Sequence, residues 1–313
     1  MAAPSALSMV TGLRAPSLQP WRRFSEPAAR PTGDAVRVMF LGVSTMLITD
    51  GTSTVLTDGF FSRPGLLRVR AGRIRPNRRR IAAELDRFGV DRVDAVVVLH
   101  SHFDHALDSS IVAESTGARL IGSESAREIA RGNGFPDNRF DLVLVGEPVD
   151  VGRFRLTALP AVHSPGDLAP GEIDGPFNPH AKAIDYLSGS CYTLHVCHDE
   201  RAMLIQASAN TLPGAVDGYR ADTVYLGIGT LGKHDDEFRE AYWRQYVTGV
   251  SAKRVVPIHW DDYTKPLDRQ LVPFPAFFDD MTTSMRFLAL RAALDEVDLG
   301  LPVVGRLTDP FRT

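Results

Sequence analysis

Six residues, His100-Ser101-His102-Phe103-Asp104-His105, follow directly on the apolar run Asp94-Ala95-Val96-Val97-Val98-Leu99. That junction restricts the fold more than any other stretch of the chain. A continuous apolar run of this length reads as a strand buried on both faces. The carboxyl end of such a strand is where α/β sheets place their sites. In extended backbone, residues two apart project to the same side, so His100 and His102 can grip one ion. Asp104 and His105 lie where the chain turns toward a helix and can face a second. Three histidines and an aspartate in six residues, from a chain with nine histidines in all, argue against an incidental polar loop.

The remaining pattern supplies the sheets and helices that this junction needs. Stretches 36–41 and 43–49 read as strands, and Asp50-Gly51 makes a hairpin turn into 53–57. Residues 81–88 read as a helix closed by Gly89. A helix over 108–115 precedes a strand at 119–122, and Ser123 can cap the next helix, ending near Gly132. Strands follow around 142–145 and 154–159. The stretch 163–190 has four prolines, four glycines and little apolar periodicity, and loops this long in compact domains are usually functional or disordered. A second meander covers 191–197 and 202–207, followed by a buried strand at 223–228. Phe238, Tyr242 and Tyr246 line one helical face. Residues 254–260 form a strand, and Phe277, Met281, Met285, Leu288 and Ala292 have the spacing of a last helix. Strands and helices recur in two comparable halves, which predicts an α/β fold with sheets between helices.

Two more histidines stand where strands run out. His163 ends Leu159-Pro160-Ala161-Val162, and His259 ends Val255-Val256-Pro257-Ile258. Alone, each reads as an ordinary structural histidine. With the cluster they complete two sets of three: His100, His102 and His163, then Asp104, His105 and His259. Three protein ligands leave a position open for water, the arrangement of catalytic rather than structural zinc.

HSHFDH resembles the HxHxDH signature of the metallo-β-lactamase superfamily, with His163 and His259 at its later ligand steps; the resemblance runs from Val36 to about Tyr263. It implies a four-layer αββα sandwich over residues 35–313. It also implies a zinc-dependent hydrolase that uses metal-bound hydroxide on a small ester, lactone, amide or phosphodiester, with Asp104 doubling as ligand and proton acceptor. Phe40-Leu41-Gly42-Val43-Ser44-Thr45 is similar to the opening of the branch containing ascorbate-6-phosphate lactonase and phospholipase-D-like phosphodiesterases, with Val43 where that branch often has histidine. Many members carry a bridging aspartate after the strand of the second meander. Here Ser208 holds that place, in Gln206-Ala207-Ser208-Ala209-Asn210. Two outcomes stay open: two zinc ions, each with three protein ligands, or one zinc in the three-histidine site. Imidazole also suits iron. Asp58, in Leu56-Thr57-Asp58-Gly59, either orients a metal histidine or turns the chain before glycine.

Other features set the rivals. A net charge of −3 gives no global field for nucleic acid or membrane, so the expected partner is a small molecule. Cys191 and Cys197 fall about 20 Å apart on one strand, too far for a disulfide, which suits a reducing compartment. Residues 1–34 read as a disordered tail without a secretory signal or a span, giving a cytoplasmic expectation. Eight arginines between Arg63 and Arg80 either bind an anionic substrate or form a solvated loop. His180 and Lys182 lie in the long loop expected to overhang the metals and are candidate substrate contacts. A nuclease needs an insertion that the short span from Ser208 to His259 does not hold. The alternatives are a glyoxalase-II-like thioesterase, a mononuclear-iron persulfide dioxygenase, or a degenerate scaffold that binds metal without turnover.

Overall fold

The computed structural model describes residues 14–29 and 35–312. Two seven-stranded mixed sheets form the centre. In the first, β1 (Arg37–Phe40), β2 (Met46–Thr49) and β3 (Thr54–Thr57) make the antiparallel meander. Then β4 (Ala95–Val97), β5 (Arg119–Gly122) and β6 (Phe140–Leu142) add on in parallel. The second sheet repeats this plan. Strands β7 (Pro148–Val151), β8 (Phe154–Ala161), β9 (Cys191–His198) and β10 (Arg201–Gln206) are antiparallel neighbours, and β11 (Thr223–Gly227) and β12 (Arg254–Ile258) continue in parallel. Two short late strands finish the edges: β13 (Asp298–Leu299) joins β12, and β14 (Leu307–Thr308) crosses back to β1.

The sheets pack face to face. Val97 and Ile121 of the first line the same small crevice as Leu156, Ala158 and Leu194 of the second. The apolar run is the reason: all of β4 is buried, as are Val98 and Leu99 beyond it. Helices cover the outer faces. α1 (Leu66–Ala71) and α2 (Arg78–Arg87) come before β4, then α3 (Phe103–Ala106), α4 (Ser109–Thr116) and α5 (Glu124–Gly132) follow it. α4 rests on β4 and β5. In the second half, α6 (Asp236–Trp243) runs on as a π-helical turn that packs on β11, and α7 (Met281–Leu294) packs on β13. Asp235 and Asp280 cap α6 and α7 by accepting the backbone N–H of Phe238 and Thr283.

Several expectations change in detail. The strand expected at 142–145 lies earlier, because β6 stops at Leu142 and Leu144 and Val145 are exposed. The second strand starts at Met46 rather than Val43. Gly42 and Val43 both have positive φ, at 93° and 53°, and turn the chain instead. Phe277 lies before α7 and is exposed, so it is not part of that helix's buried face. Cys191 and Cys197 are free thiols.

The expectation of a tail over residues 1–34 does not hold for its described part. Gln19–Phe24 is a 3₁₀ helix with Trp21 buried, and Glu26 forms a buried ion pair with Arg254 of β12. A long aromatic and a matched carboxylate tie this segment down where composition alone suggested a loose one. The signal-free leader expected over residues 1–13 lies outside the described residues. Among the described residues, no helix is long and apolar enough to cross a membrane.

Candidate metal centre

The chain's six chemistry-bearing residues collect at strand ends. His100 and His102 follow β4, Asp104 and His105 sit on α3, His163 follows β8, and His259 follows β12 directly. They gather as two triads, His100–His102–His163 and Asp104–His105–His259, and within each triad the ligating atoms lie within 4.8 Å of one another. The triads share a wall, with the His100 and His105 rings 3.6 Å apart at their centroids.

Each side chain is held by groups outside the triads. Asp58, placed by β3 in a left-handed turn (φ 54°), accepts the Leu99 N–H at 2.8 Å through Oδ1. Its Oδ2 accepts the Ser44 hydroxyl at 2.5 Å and lies 2.8 Å from His105 Nδ1. A carboxylate can only accept there, so His105 carries its proton on Nδ1 and leaves Nε2 bare. His259 is also left-handed (φ 56°), and its N–H donates to the Val43 carbonyl at 2.7 Å. The Val43 N–H donates to Asp261 Oδ1 at 2.8 Å, and Asp261 Oδ2 meets Arg63 Nη2 at 2.6 Å with both side chains fully buried. On the other triad, Asp167 lies 3.2 Å from His102 Nε2 and 3.5 Å from His163 Nδ1.

Three of the four pKa shifts among these residues favour the cation-binding form, and the rise at His259 opposes it. Burial and the neighbouring imidazoles push His100 well below the usual imidazole range. Burial, then His102, lowers His163 to about 4. Burial alone would raise Asp104, but His105 and His259 outweigh it and hold the carboxyl ionised, well below its ordinary value. Burial would likewise lower His259, but its hydrogen bond to Asp104 raises it. Neutral imidazole and ionised carboxylate are the forms a metal needs.

One feature is hard to account for without a cation, and a second arrangement suits one. His100 Nε2 is buried with no hydrogen-bond partner, a costly state for a ring nitrogen. His105 Nε2 and His259 Nε2 face each other at 3.2 Å, with Asp104 Oδ2 at 3.7 and 3.4 Å from them. An ion among these atoms would satisfy all of them, so the donor set fits a metal.

The remaining candidates are placed as follows. Ser208 is buried, and its carbonyl accepts from Gln206 Nε2 at 2.6 Å. Its loop is tied to the His163 loop, since Asn210 Nδ2 donates to the His163 carbonyl at 2.7 Å and the Ala209 N–H to Ser164 Oγ at 2.9 Å. His180 and Lys182 are exposed and hydrogen-bond none of the six residues. Instead the His180 carbonyl accepts from Arg73, and Ala181 bridges Ile74, so that part of the loop is fastened to the arginine segment. The arginines themselves divide. Arg63 is buried on Asp261, and Arg80 donates to the Ser62 and Arg63 carbonyls. Asp167, Ser44 and the Arg63–Asp261 pair were not singled out in the sequence.

Residues 38–174 match the family model of the Metallo-beta-lactamase superfamily. That stretch holds His100, His102, Asp104, His105 and His163 and ends before His259. A UPF0173 metal-dependent hydrolase of Methanopyrus kandleri is 30% identical over 99 residues, 32% of this chain and 42% of that protein. The chain spans less than half the length of the curated relatives it matches. Among solved structures, Igni18, a metallo hydrolase from Ignicoccus hospitalis, aligns with a TM-score of 0.56 and 16% identity, over 88% of this chain and 97% of that one. CmlA, a diiron β-hydroxylase from Streptomyces venezuelae, aligns with a TM-score of 0.52 and 16% identity, over 90% of this chain and 55% of its own. Both alignments show the shared fold.

Proposed function

We propose that this chain is a zinc-dependent hydrolase of the metallo-beta-lactamase superfamily acting on a small ester, lactone, amide or phosphodiester. The observation that carries the reading is the pair of adjoining triads, one with its central imidazole nitrogen buried and unpartnered. His100, His102 and His163 would hold one ion, and Asp104, His105 and His259 the other. Each triad then has an open position for water or substrate. Serine at position 208 brings no carboxylate, so each ion would depend on its own three ligands. The chemistry supplied by bound ions is water acidified to a pKa of about 7 and an acceptor for charge developing on the substrate oxygen.

The chain's own groups do the rest. Asp58 orients His105 through Nδ1. Asp104, ionised and buried beside His259, would serve both as a ligand and as an acceptor for a proton from water. An open cavity of roughly 650 Å³ lies against His163, walled by Pro160, Val162, Pro170 and Tyr192 with Asp167 and Asn210 among them. That is the size of a small-molecule site.

The test is elemental analysis of the purified chain together with turnover of phosphodiester, lactone and thioester substrates. About two zinc ions per chain with hydrolysis supports the proposal. Bound iron with oxygen-dependent turnover would replace it with the mononuclear-iron dioxygenase alternative, since imidazole also suits iron. Bound metal without turnover on any substrate would leave a binding scaffold.

A further inference from the structure

We propose that Asp167 is the positioning residue of the three-histidine triad, fixing two of its imidazoles at once; the proposal rests on the metal-centre reading above. Asp167 Oδ1 lies 3.2 Å from His102 Nε2, and Oδ2 lies 3.5 Å from His163 Nδ1. The two carboxylate oxygens therefore serve two different rings. Both ring nitrogens also face backbone carbonyls, Ala169 O at 3.3 Å from His102 Nε2 and Ser164 O at 3.1 Å from His163 Nδ1. Carbonyls and carboxylates only accept, so each of these nitrogens carries its ring's single proton. By elimination, His102 Nδ1 and His163 Nε2 keep the lone pairs. Asp167 and its two carbonyl neighbours thus select the tautomer in which both rings can bind a cation.

The carboxylate is itself held. Its side chain is 15% exposed, and Oδ1 accepts the Ala169 N–H at 2.8 Å. The Ala169 carbonyl accepts the Ser188 N–H at 2.8 Å, which ties this turn to the segment entering β9. Charge gives a second reason for the role. The Asp104 triad contains its own anion, whereas His100, His102 and His163 offer only neutral donors to a divalent cation. A carboxylate lying 3.2 and 3.5 Å from the far nitrogens of two ligand rings makes both rings more basic toward the metal. Asp58 does the same for a single ring, His105, in the neighbouring triad. Each triad therefore has its own aspartate, reached from a different loop.

The test compares zinc uptake by the full-length wild type, Asp167→Asn, Asp167→Glu and Asp58→Asn, using competition with a chromophoric chelator and the visible spectrum of cobalt-substituted protein. In Asp167→Asn the new side-chain oxygen can still accept from the Ala169 N–H, but the amide hydrogens meet an imidazole N–H, so a purely structural role would survive this change. We expect Asp167→Asn to weaken one uptake step by about 10–100-fold, leave the other unchanged and alter one cobalt spectral component. Asp58→Asn should weaken the other step, Asp167→Glu should recover part of the loss, and the metal-free melting temperature of Asp167→Asn should match wild type. Unchanged affinity and spectrum in Asp167→Asn would overturn the proposal while leaving the metal centre standing. Equal weakening of both steps would overturn it too, as general loosening. A wild type that takes up no metal would remove the reading beneath it.

Discussion

Replacing Arg63 by methionine should destabilise the protein far more than a surface arginine change would. The Arg63–Asp261 contact is 2.6 Å long and both side chains are fully buried. Methionine fills much of the same volume but leaves Asp261 buried without its countercharge. Breaking a buried pair in this way costs about 3–5 kcal/mol. At roughly 2 °C per kcal/mol for a large domain, the metal-free protein should melt about 6–10 °C lower. The double variant Arg63→Met, Asp261→Asn removes the orphaned charge and should recover part of the loss. The damage should also reach the metal centre, because Asp261 holds the Val43 N–H and Val43 holds the His259 N–H. The Asp104–His105–His259 triad should then bind its ion more weakly than the three-histidine triad. Urea unfolding of the metal-free proteins gives the energies, and chelator competition gives the affinities. A loss under about 1 kcal/mol, the scale of an exposed pair, would refute this reasoning; so would a double variant no more stable than Arg63→Met.

Three further outcomes follow from the same structure. Asp50 is buried at the first hairpin; burial alone would raise its pKa, but the Ser53 and Thr52 N–H groups and His198 lower it. Its contribution is therefore present above pH about 4, near the unfolded value, and lost as pH falls through the lowered one. Asp50→Asn should flatten the acid limb of the stability–pH curve, measured by urea unfolding, and an unchanged limb would count against the assignment. Removing metal with a chelator should lower the melting temperature in proportion to binding, about 4 kcal/mol for an ion present at a thousand times its dissociation constant; equal melting with and without added zinc would contradict the metal centre. Glu26→Ala should strand Arg254, whose remaining ion-pair partner among the described residues is Asp298 at 3.5 Å. A cost of about 3 kcal/mol and faster limited proteolysis within residues 14–29 are expected, and wild-type resistance would show that the segment is held by other contacts.

What the sequence disclosed was what neighbouring residues share. The apolar run 94–99 and the histidines that end strands were readable because strand burial and strand-end placement are local properties, and all six came together. Partners joined only through space were not. Arg63 and Asp261 are 198 positions apart, so the arginine-rich segment read as one unit although its members do different jobs. Asp167 sits in a stretch rich in proline and glycine, where no periodicity marks a residue, and its role emerges only once the loop folds back over His102. His180 and Lys182 lie exposed in the same loop, and the Arg73 and Ile74 contacts fasten that part of it to the arginine segment. Val43 looked like the start of a strand because valine favours extended backbone, and the tertiary contacts override that preference.

That override points to how the site is built. Four of the eight non-glycine residues with positive φ among the described ones are Val43, Asp58, Arg63 and His259. A β-branched valine in that region is a true outlier, and conformations of this kind cost about 1–3 kcal/mol each. They persist because each is fixed by a neighbour: Val43 by Asp261 and His259, Asp58 by Leu99 and Ser44, and Arg63 by Asp261. Gly42 shows how tight the arrangement is, since a Cβ there would come within 2.0 Å of Arg63 Nη2. The strain thus sits in the supports of the Asp104–His105–His259 triad. Its side chains are fixed by this network of the protein's own contacts, so a change at Arg63 should weaken metal binding even though that residue touches no ligand.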